Sequence, residues 1–368
     1  MNILIIGDFS SLAINLKAGF KELGHRVVNV RTTDSFKNYT GGDDDIIYIT
    51  NRRLGFGSIR IPKTHLLTAI FDNYKLRRKL QSCSVSFDLI IIVNEVFVSN
   101  SVFYAGISID YIKKQQELGA KVLLMSCGGD TAYRLYGNLL KYNNVAFPEG
   151  RKVLGKSFVD NFNALIEIAD AICPISYSYY ATIKNYCNER RYNKKICCLS
   201  VPIVIGDYNF RSCLGRKIVL FHGKSRADKG SSFIQEACNN ILKDFSDYVE
   251  ILVSEPMSYI KYLEMFDKID ILIDQTNGYG IGMNAALGLM KGLVVLGGNE
   301  PEDSNCMNRE SPVLNIIPDS NQIYGIIKDL ILNPTKIDVI KKESRQFAEE
   351  NLAAPVVAKK VLSILKIN

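Results

Sequence analysis

The feature that most constrains this chain is a repeated alternation between short apolar runs and longer segments with helical spacing. In the first half the apolar runs are Asn2–Gly7, Arg26–Val30, Phe87–Val93, Lys121–Met125 and Ala171–Ile175. In the second half they are Lys217–His222, Val249–Val253, Ile269–Asp274, Leu293–Leu296 and Val313–Ile317. Strands that are apolar at every position are covered on both faces, as in parallel sheets flanked by helices. The sequence therefore predicts the α/β class, with two Rossmann-like, doubly wound parallel sheets in tandem.

The boundary between the two predicted domains lies in a segment with weak periodicity. Residues 202–214 contain Pro202, Gly206 and Asp207, which are typical of a linker. The first domain is predicted to span residues 1–205 and the second residues 206–345. Two such sheets face each other across a central cleft, and ligands of doubly wound sheets bind beyond the carboxyl ends of the strands. Residues that directly follow strands are therefore the candidates for function.

Composition narrows the class and the location of the protein. The chain has nine cysteines, an odd number without a C-x-x-C pair, and several lie inside apolar runs. This pattern is typical of buried free thiols in a reducing cytoplasm, where we expect the protein to be located. No apolar run approaches the roughly 20 residues that span a bilayer, and the short N-terminal run is typical of a buried strand.

The net charge of +7 suits phosphate-bearing substrates or an anionic membrane surface, although dispersed lysines explain it equally well. No signature of a nucleic-acid module is present, so we expect no nucleic-acid partner.

The segment Lys217–Gly230 combines a strand, a glycine, a cationic loop and the start of a helix. Gly223 lets the backbone turn and approach a ligand closely. Lys224, Arg226 and Lys229 surround the N-terminus of the following predicted helix. Point charges and free N–H donors together bind diphosphates, so the segment is a candidate phosphate site. A solvated basic turn is the alternative.

The sequence G-K-S-R-A-D-K-G in this segment resembles the G-R-x-x-x-x-K-G element of glycosyltransferase family 4 and its relatives. Those enzymes have the GT-B architecture, and in them an Arg and a Lys hold the donor diphosphate. Lys224 stands at the Arg position and Lys229 at the Lys position. The change from Arg to Lys keeps the charge but removes the bidentate fork. The resemblance implies that a nucleoside diphosphate sugar binds in the second domain.

A second stretch, Ile271–Gly298, resembles the donor-binding region of a bacterial surface-polysaccharide-type branch of these enzymes. It reads D-Q-T-N-G-Y-G-I-G-M-N-A, followed by G-G-N-E-P-E. The donor-binding residues implied here are Asp274, Tyr279, Gly280, Gly282, Met283 and Asn284. The wider family carries two glutamates eight positions apart, where this chain has Tyr279 and Leu287. Glu300 and Glu302 are the acids that we expect to take over part of their role, and Glu300 is the catalytic candidate.

The first half carries a loop and two acids that point to the acceptor side. The sequence G-D-F-S-S resembles the acceptor-side glycine loop of GT-B enzymes, which implies roles for Gly7, Asp8, Ser10 and Ser11. Glu95 and Asp130 each follow a predicted strand. A carboxylate at the mouth of the cleft is a candidate general base. A helix N-cap or a turn is the alternative role for Asp130.

The C-terminal segment, residues 346–368, is predicted to be a helix that crosses back to the first domain. The final helix of GT-B proteins commonly does so, and the resemblance implies the same here. Val357, Val361 and Leu365 recur every four residues, which gives this helix an apolar face to bury.

The resemblance also implies the ligands. GT-B enzymes generally need no metal, so we expect neither a metal nor a cofactor, and we interpret Asp43–Asp45 as a surface turn. The implied acceptor is a glycan or polyprenyl-diphosphate-linked saccharide of bacterial capsule, O-antigen or exopolysaccharide synthesis. Asn73–Lys79 mixes cations with Tyr74 and Leu76, which fits either contact with the inner face of the cytoplasmic membrane or a solvated helix face. Two alternatives to the transferase are a non-catalytic relative that binds a nucleotide sugar or glycan, and a sugar-nucleotide epimerase of the same shape.

Overall fold

The computed structural model describes residues 1–32, 86–98, 106–143, 155–223, 229–254 and 259–367, together with short pieces between 45 and 80. Two sheets organise these residues, one in each half of the chain. Some positions singled out from the sequence lie outside the described residues: Asp43, Asp44, Lys224, Arg226 and, within Asn73–Lys79, Asn73, Lys75 and Arg77.

The first sheet contains six parallel strands. They are β1 (Asn2–Ile6), β2 (Arg26–Thr32), β3 (Asp45–Tyr48), β6 (Leu89–Ile92), β7 (Lys121–Ser126) and β8 (Ala171–Pro174). A separate antiparallel pair, β4 (Gly55–Phe56) and β5 (Ile59–Arg60), lies between β3 and β6 in the chain. The strand order is β3-β2-β1-β6-β7-β8. The winding direction therefore reverses between β1 and β6, which is the topological switch point of a doubly wound sheet.

The second sheet contains five parallel strands. They are β9 (Ile218–Gly223), β10 (Val249–Ser254), β11 (Ile271–Ile273), β12 (Val294–Gly297) and β13 (Leu314–Asn315). The strand order is β10-β9-β11-β12-β13. The winding direction reverses between β9 and β11, so this sheet has its own switch point.

Helices connect the strands and cover both faces of each sheet. In the first half they are α1 (Leu12–Glu22), α2 (Ile109–Glu117), α3 (Thr131–Tyr136), α4 (Lys156–Ile168) and α5 (Tyr177–Glu189), with short 3₁₀ helices at Glu95–Phe97 and Gly137–Leu139. In the second half they are α6 (Ser231–Phe245), α7 (Tyr259–Phe266), α8 (Met283–Met290), α9 (Pro301–Met307), α10 (Ser320–Leu332), α11 (Pro334–Asn351) and α12 (Ala354–Leu365). In the part of the chain that the structure describes, no helix is long and apolar enough to cross a membrane.

Successive residues of each strand pack into different core layers. In β1, Ile3 and Ile5 lie with Leu16 of α1, whereas Leu4 and Ile6 belong to the cluster on the opposite face. All four of these isoleucine and leucine side chains of β1 are fully buried. Two-sided burial explains why the strands are apolar at every position.

The chain passes between the two halves twice, and the two passages are hydrogen-bonded to each other. The amide of Ile203 donates to the carbonyl of Leu352 over 2.8 Å, and the amide of Ala354 donates to the carbonyl of Ile203 over 2.8 Å. After this junction α12 packs on α1, where Val357 and Val361 enter the core of the first sheet. A Cβ on Gly19 of α1 would lie 2.2 Å from the carbonyl oxygen of Ala354, so this helix contact is very close.

The expectation that all cysteines are free thiols is wrong for one pair. Cys198 and Cys306 form a disulfide across 108 residues of sequence, with their Cα atoms 6.2 Å apart. The other cysteines of the described residues are free, and Cys197, adjacent to the disulfide, is among them. The pairing joins the segment before the first passage to α9, so only the tertiary structure could reveal it. It also removes the thiol argument for a reducing compartment.

Candidate functional site

The two switch points bring the predicted residues to the carboxyl ends of the sheets. Asp8 and Glu95 follow β1 and β6 at the switch point of the first sheet. Lys229 and Asp274 follow β9 and β11 at the switch point of the second. Doubly wound sheets bind ligands at these positions. The chain thus has two candidate half-sites, one acidic and one containing a lysine.

In the second half, four polar side chains form a continuous chain of hydrogen bonds. Lys229 Nζ lies 3.1 Å from Asp274 Oδ1, and Asn284 Nδ2 donates to the same oxygen over 2.8 Å. The hydroxyl of Tyr262 donates to Asn284 Oδ1 over 2.6 Å. Burial and the nearby charge of Asp274 raise the pKa of Tyr262, so this hydroxyl keeps its proton and donates. The lysine, which is 15% exposed, is held with its ammonium group at the end of the sheet.

The backbone beside this lysine is shaped by glycine. Gly230, the N-cap of α6, has φ 72°, and a Cβ there would lie 1.9 Å from Thr276 Oγ1. Only glycine fits such a left-handed position so close to another loop. The first amides of α6 therefore start directly beside Lys229, where N–H groups and the helix dipole favour an anion.

His222, the penultimate residue of β9, forms contacts with β11 and with the start of α6. Its Nδ1 lies 2.9 Å from the carbonyl oxygen of Ile273, and its Nε2 lies 3.0 Å from Ser231 Oγ. Gly223 ends the strand, and a Cβ there would lie 2.9 Å from the hydroxyl oxygen of Tyr262. These contacts tie β9, β11 and the start of α6 together.

The glycine-rich turn after β11 packs against α9 and against the loop after β12. A Cβ on Gly280 would lie 2.0 Å from Asp303 Oδ2, and one on Gly298 would lie 2.3 Å from the carbonyl oxygen of Gly278. Gly282 is the N-cap of α8, which begins at Met283. The turn is therefore compact, and it leads directly into α8, whose second residue is Asn284.

Tyr279, which stands where the sequence resemblance placed a glutamate, contacts the first half of the molecule. Its hydroxyl oxygen accepts a hydrogen bond from the amide of Lys141, in the first half, over 2.8 Å. Its ring lies 5.4 Å from the ring of Tyr142 and 5.0 Å from that of Tyr177, measured between centroids. Leu287 is buried in the core of the second half. Tyr279 thus fastens the turn to the first half of the molecule.

Glu300 also bridges the two halves. Lys141 Nζ lies 3.2 Å from its carboxylate, and the Tyr142 hydroxyl donates to Oε1 over 3.0 Å. The amide group of Asn315 donates to the same oxygen over 3.3 Å. Glu300 is buried, and its carboxylate is occupied by these partners.

In the first half, Glu95 and Asp130 form a buried pair of acids. Thr131 donates to Glu95 Oε1 from its amide over 2.7 Å and from its hydroxyl over 3.0 Å. Glu95 Oε2 has no hydrogen-bond partner among the described residues. Burial, with the charge of Asp130 added, raises the pKa of Glu95 to about 7. Burial raises the pKa of Asp130 to about 6.

Asp130 also caps α3, which is the alternative that the sequence left open. Its Oδ1 accepts from the amide of Tyr133 over 2.8 Å, and the Ser126 hydroxyl donates to Oδ2. Both acids are almost completely buried, Glu95 at 2% exposure and Asp130 at 1%. In this arrangement neither carboxylate reaches solvent, so direct contact with a substrate requires movement.

The loop after β1 is tightly folded. Gly7 has φ 93°, and a Cβ there would lie 2.0 Å from the ring of Phe97. Asp8 Oδ1 accepts from the amide of Ala13 over 2.8 Å, which satisfies the first turn of α1. Ser10 and Ser11 both adopt positive φ, 52° and 65°. The loop lies at the switch point, as the predicted acceptor-side role requires.

Within the described ranges, no cluster of three or more His, Cys, Asp or Glu side chains is arranged to hold a metal ion. Asp45 is the first residue of β3, whereas Asp43 is not described. The absence of a metal therefore stays a prediction.

Several contributors were not predicted, and four of them are Tyr262, Lys141, Tyr142 and Tyr177. Tyr262 lies on α7, whose apolar spacing marks it only as a core residue. The other three come from the first half and meet the second only through folding. No motif surrounds them, so sequence reasoning had no signal for them.

Comparison with known proteins identifies the fold. No protein-family description matches the chain, and no curated protein is similar enough in sequence to count as a relative. Among solved structures, the chain is similar to a sucrose-phosphate synthase from Thermosynechococcus elongatus, with a TM-score of 0.60, 11% identity, and coverage of 99% of this chain and 98% of that one. It is also similar to Anabaena HepE in complex with UDP-glucose, with a TM-score of 0.56, 10% identity, and coverage of 100% and 99%. The catalytic domain of starch synthase IV from Arabidopsis thaliana, bound to ADP and acarbose, gives a TM-score of 0.62, 10% identity, and coverage of 99% and 98%.

These similarities extend over both sheets and both passages between them. The predicted α/β architecture of two Rossmann-like domains is confirmed: the chain has the GT-B fold. At 10–11% identity the likeness concerns the fold and not the chemistry.

Proposed function

We propose that this protein is a glycosyltransferase that uses a nucleoside diphosphate sugar as donor. One observation carries the proposal: Lys229 is held by Asp274 at the switch point of the second sheet, next to the N-terminus of α6. An ammonium group beside free helix amides is suited to a diphosphate. Solved structures of the same fold support this assignment, since HepE is described in complex with UDP-glucose and starch synthase IV with ADP.

In this proposal each residue of the second half has a separate role in binding the donor. Lys229 and the start of α6 bind the diphosphate, with the undescribed Lys224 and Arg226 as further cations. Asp274 orients Lys229, and Asn284 with Tyr262 fixes Asp274. The turn from Gly280 to Met283 approaches the sugar and nucleotide from the other side. Because these groups are fixed before the ligand arrives, less ordering is needed on binding.

The catalytic assignments are part of the same proposal. Glu300 is the predicted acid nearest the donor turn, since its amide donates to the carbonyl of Tyr279 over 2.8 Å. To contact a sugar, its carboxylate would have to exchange Lys141 or Tyr142 for the substrate. Glu95 and Asp130, with pKa values of about 7 and 6, are acids suited to accepting a proton near neutral pH once the cleft opens.

The acceptor in this proposal is a glycan or a polyprenyl-diphosphate-linked saccharide, bound at the loop of Gly7, Asp8, Ser10 and Ser11. Surface-polysaccharide synthesis at the inner face of the cytoplasmic membrane is the setting that the sequence resemblance supports. The proposed domain boundaries remain at residues 205 and 345, with the terminal helix bound to the first domain. No metal is required.

A second candidate is a non-catalytic protein that binds a nucleotide sugar. The contacts of Tyr279 favour it, because this residue stands at an expected glutamate position and is occupied by Lys141, Tyr142 and Tyr177. Such a protein would bind the donor without releasing nucleoside diphosphate.

One experiment separates the two candidates. UDP-, GDP-, ADP- and CMP-sugars are screened by thermal shift, and the ligand found is then assayed for release of nucleotide, with acceptor and with excess EDTA. A ligand at 100 times its Kd adds about 2.7 kcal/mol of stability. Stabilisation with release that survives EDTA supports the transferase, whereas stabilisation without release supports the binding protein. If no nucleotide sugar stabilises the protein, both candidates fail.

A further inference from the structure

A cavity of about 780 Å³ lies outside the donor and acceptor positions described above. None of the predicted site residues lines it. Its wall combines Tyr177 and Ser200 from the first half, Asn305 and Arg309 from the second, and Asn351 and Lys360 around the second passage between them. Volumes of roughly 300–1,000 Å³ are typical of small-molecule sites. A molecule bound here would contact both halves and the junction.

Arg309 is the strongest chemical feature of this cavity. It follows α9 and is half-buried, and its guanidinium lies 5.2 Å from the centre of the Phe347 ring. Within the described residues its one side-chain hydrogen bond runs from Nη1 to Ser200 Oγ, over 2.5 Å. A guanidinium carries five N–H donors, so most of its capacity is open.

Lys360 adds a second cation at the rim. In the described part of the chain neither Lys360 nor Arg309 forms a salt bridge, and Lys360 makes no hydrogen bond. The two charges act on each other: burial and then the charge of Arg309 lower the pKa of Lys360. Burial lowers the pKa of Arg309 to about 10, against the opposing influence of Asp303.

The charge of Asp303 acts on Arg309, but in the described part of the chain no acid forms a salt bridge with Arg309 or Lys360. Asp303 accepts a hydrogen bond from the amide of Tyr177 over 2.7 Å and is buried on that side. Glu302 and Glu350 line the cavity but are exposed, and Glu350 accepts from Gln346 Nε2 over 2.9 Å. Exposed carboxylates are solvated by water, whereas a half-buried guanidinium gains most from an anion that enters its cavity.

The geometry points to a binding site for a small organic anion in this cavity, with Arg309 as the main ligand to a carboxylate or phosphate group and Lys360 as a second cation at the rim. The amide groups of Asn305 and Asn351 offer hydrogen bonds to a polar body of the ligand. Because the wall comes from both halves and from Asn351 and Lys360 around the second passage, occupancy stabilises the relative position of the halves. This site does not depend on the proposed transferase activity.

The test uses three sugars that differ in charge, measured by calorimetry on the full chain. Glucose 6-phosphate offers a phosphate, glucuronate offers a carboxylate, and glucose offers neither. We expect at least one charged sugar to bind at least ten-fold more tightly than glucose. We expect Arg309→Gln and Lys360→Gln to weaken that binding at least ten-fold, and Arg309→Lys to weaken it less than Arg309→Gln. Lys359→Gln is the matched control, since Lys359 is exposed on the same helix and does not line the cavity.

Several outcomes would overturn the site. One is binding of glucose as tight as that of the charged sugars. Another is a Kd above about 10 mM for both charged sugars. A third is an equal loss of affinity in Lys359→Gln and Lys360→Gln. Loss of binding in Lys229→Ala with retention in Arg309→Gln would assign the anion to the donor position instead. Lys360→Gln changes a side chain at the rim that has no hydrogen bond or salt bridge among the described residues, so the test stands even if Arg309→Gln does not fold.

Discussion

The two halves of the molecule hold their buried acids in opposite ways. In the first half Glu95 and Asp130 lie together, and burial raises the pKa of both. In the second half Asp270 is fully buried, but it accepts hydrogen bonds from Arg216 over 2.7 Å and from Lys341 over 2.6 Å. Burial acts to raise the pKa of Asp270, and these two cations outweigh it and lower the pKa.

The difference shows that a neighbouring cation, more than depth of burial, decides what a buried acid can do. With cations present, Asp270 is a fixed charge of the core, and Asp274 fixes Lys229 in the same way at the carboxyl end of the second sheet. Without a paired cation, Glu95 remains able to exchange a proton near neutral pH. The buried acids of the second half therefore hold cations in fixed positions, whereas Glu95 in the first half can still titrate.

The largest expected effect is on the core acid of the second half. Asp270→Ala leaves Lys341, which is 3% exposed, as a buried charge without its carboxylate. We expect the free energy of unfolding to fall by about 3–5 kcal/mol, measured by urea denaturation at pH 7. The control is Asp267→Ala, which removes the exposed ion pair to Lys291 and should cost about 0–1 kcal/mol. An equal fall in the free energy of unfolding in both variants would show that the buried ion pairs of Asp270 contribute no more to stability than an exposed pair.

The next effect concerns the ammonium group at the cleft. In the proposed donor site, Lys229→Ala removes a charge-assisted hydrogen bond to the diphosphate. The affinity for the nucleotide found by thermal shift should therefore fall by about 1.5–3 kcal/mol in calorimetry. Lys243→Ala, at the far end of α6, changes the net charge equally and should leave the affinity unchanged. The donor assignment fails if the folded Lys229→Ala protein binds the nucleotide as tightly as the unchanged chain.

The third expected effect is a dependence of the free energy of unfolding on pH, which arises in the first half. A carboxyl group binds protons more tightly in the folded state when its pKa is raised, so the unfolded state loses its proton first. The free energy of unfolding should therefore fall as pH rises from about 4.3, the ordinary pKa of Glu, to about 7, the pKa of folded Glu95. The slope is at most about 1.4 kcal/mol per pH unit for one group.

Glu95→Gln removes this titration and keeps the oxygen that accepts from Thr131. We expect little change in stability near pH 4 and a flatter decline up to pH 7.5, measured by urea denaturation across that range. Glu117→Gln, an exposed change on α2, should leave the slope of the unchanged protein. Parallel pH profiles for Glu95→Gln and the unchanged chain would contradict the role assigned to the buried pair.

Much of the fold could be predicted because the burial of a strand is visible in its own run of apolar residues. The runs Asn2–Gly7 and Lys121–Met125 became β1 and β7 almost without change of bounds. The run Ile269–Asp274 shortened to Ile271–Ile273, and the flanking acids Asp270 and Asp274 each pair with a cation. The paired sheets followed from these runs, and the structural comparisons confirm the GT-B arrangement.

The sequence by itself determined the alternation of strands and helices, the apolar face of α12, and the polar residues placed just after strands. Only the tertiary structure decided which of those residues meet: Lys229 with Asp274 across 45 positions, Glu300 with Lys141 across 159, and Cys198 with Cys306 across 108. Periodicity records how deeply each segment is buried, and that is a local property. Pairing between distant side chains depends on strand order, register and the closure of long loops, which arise from the summed packing of the whole chain.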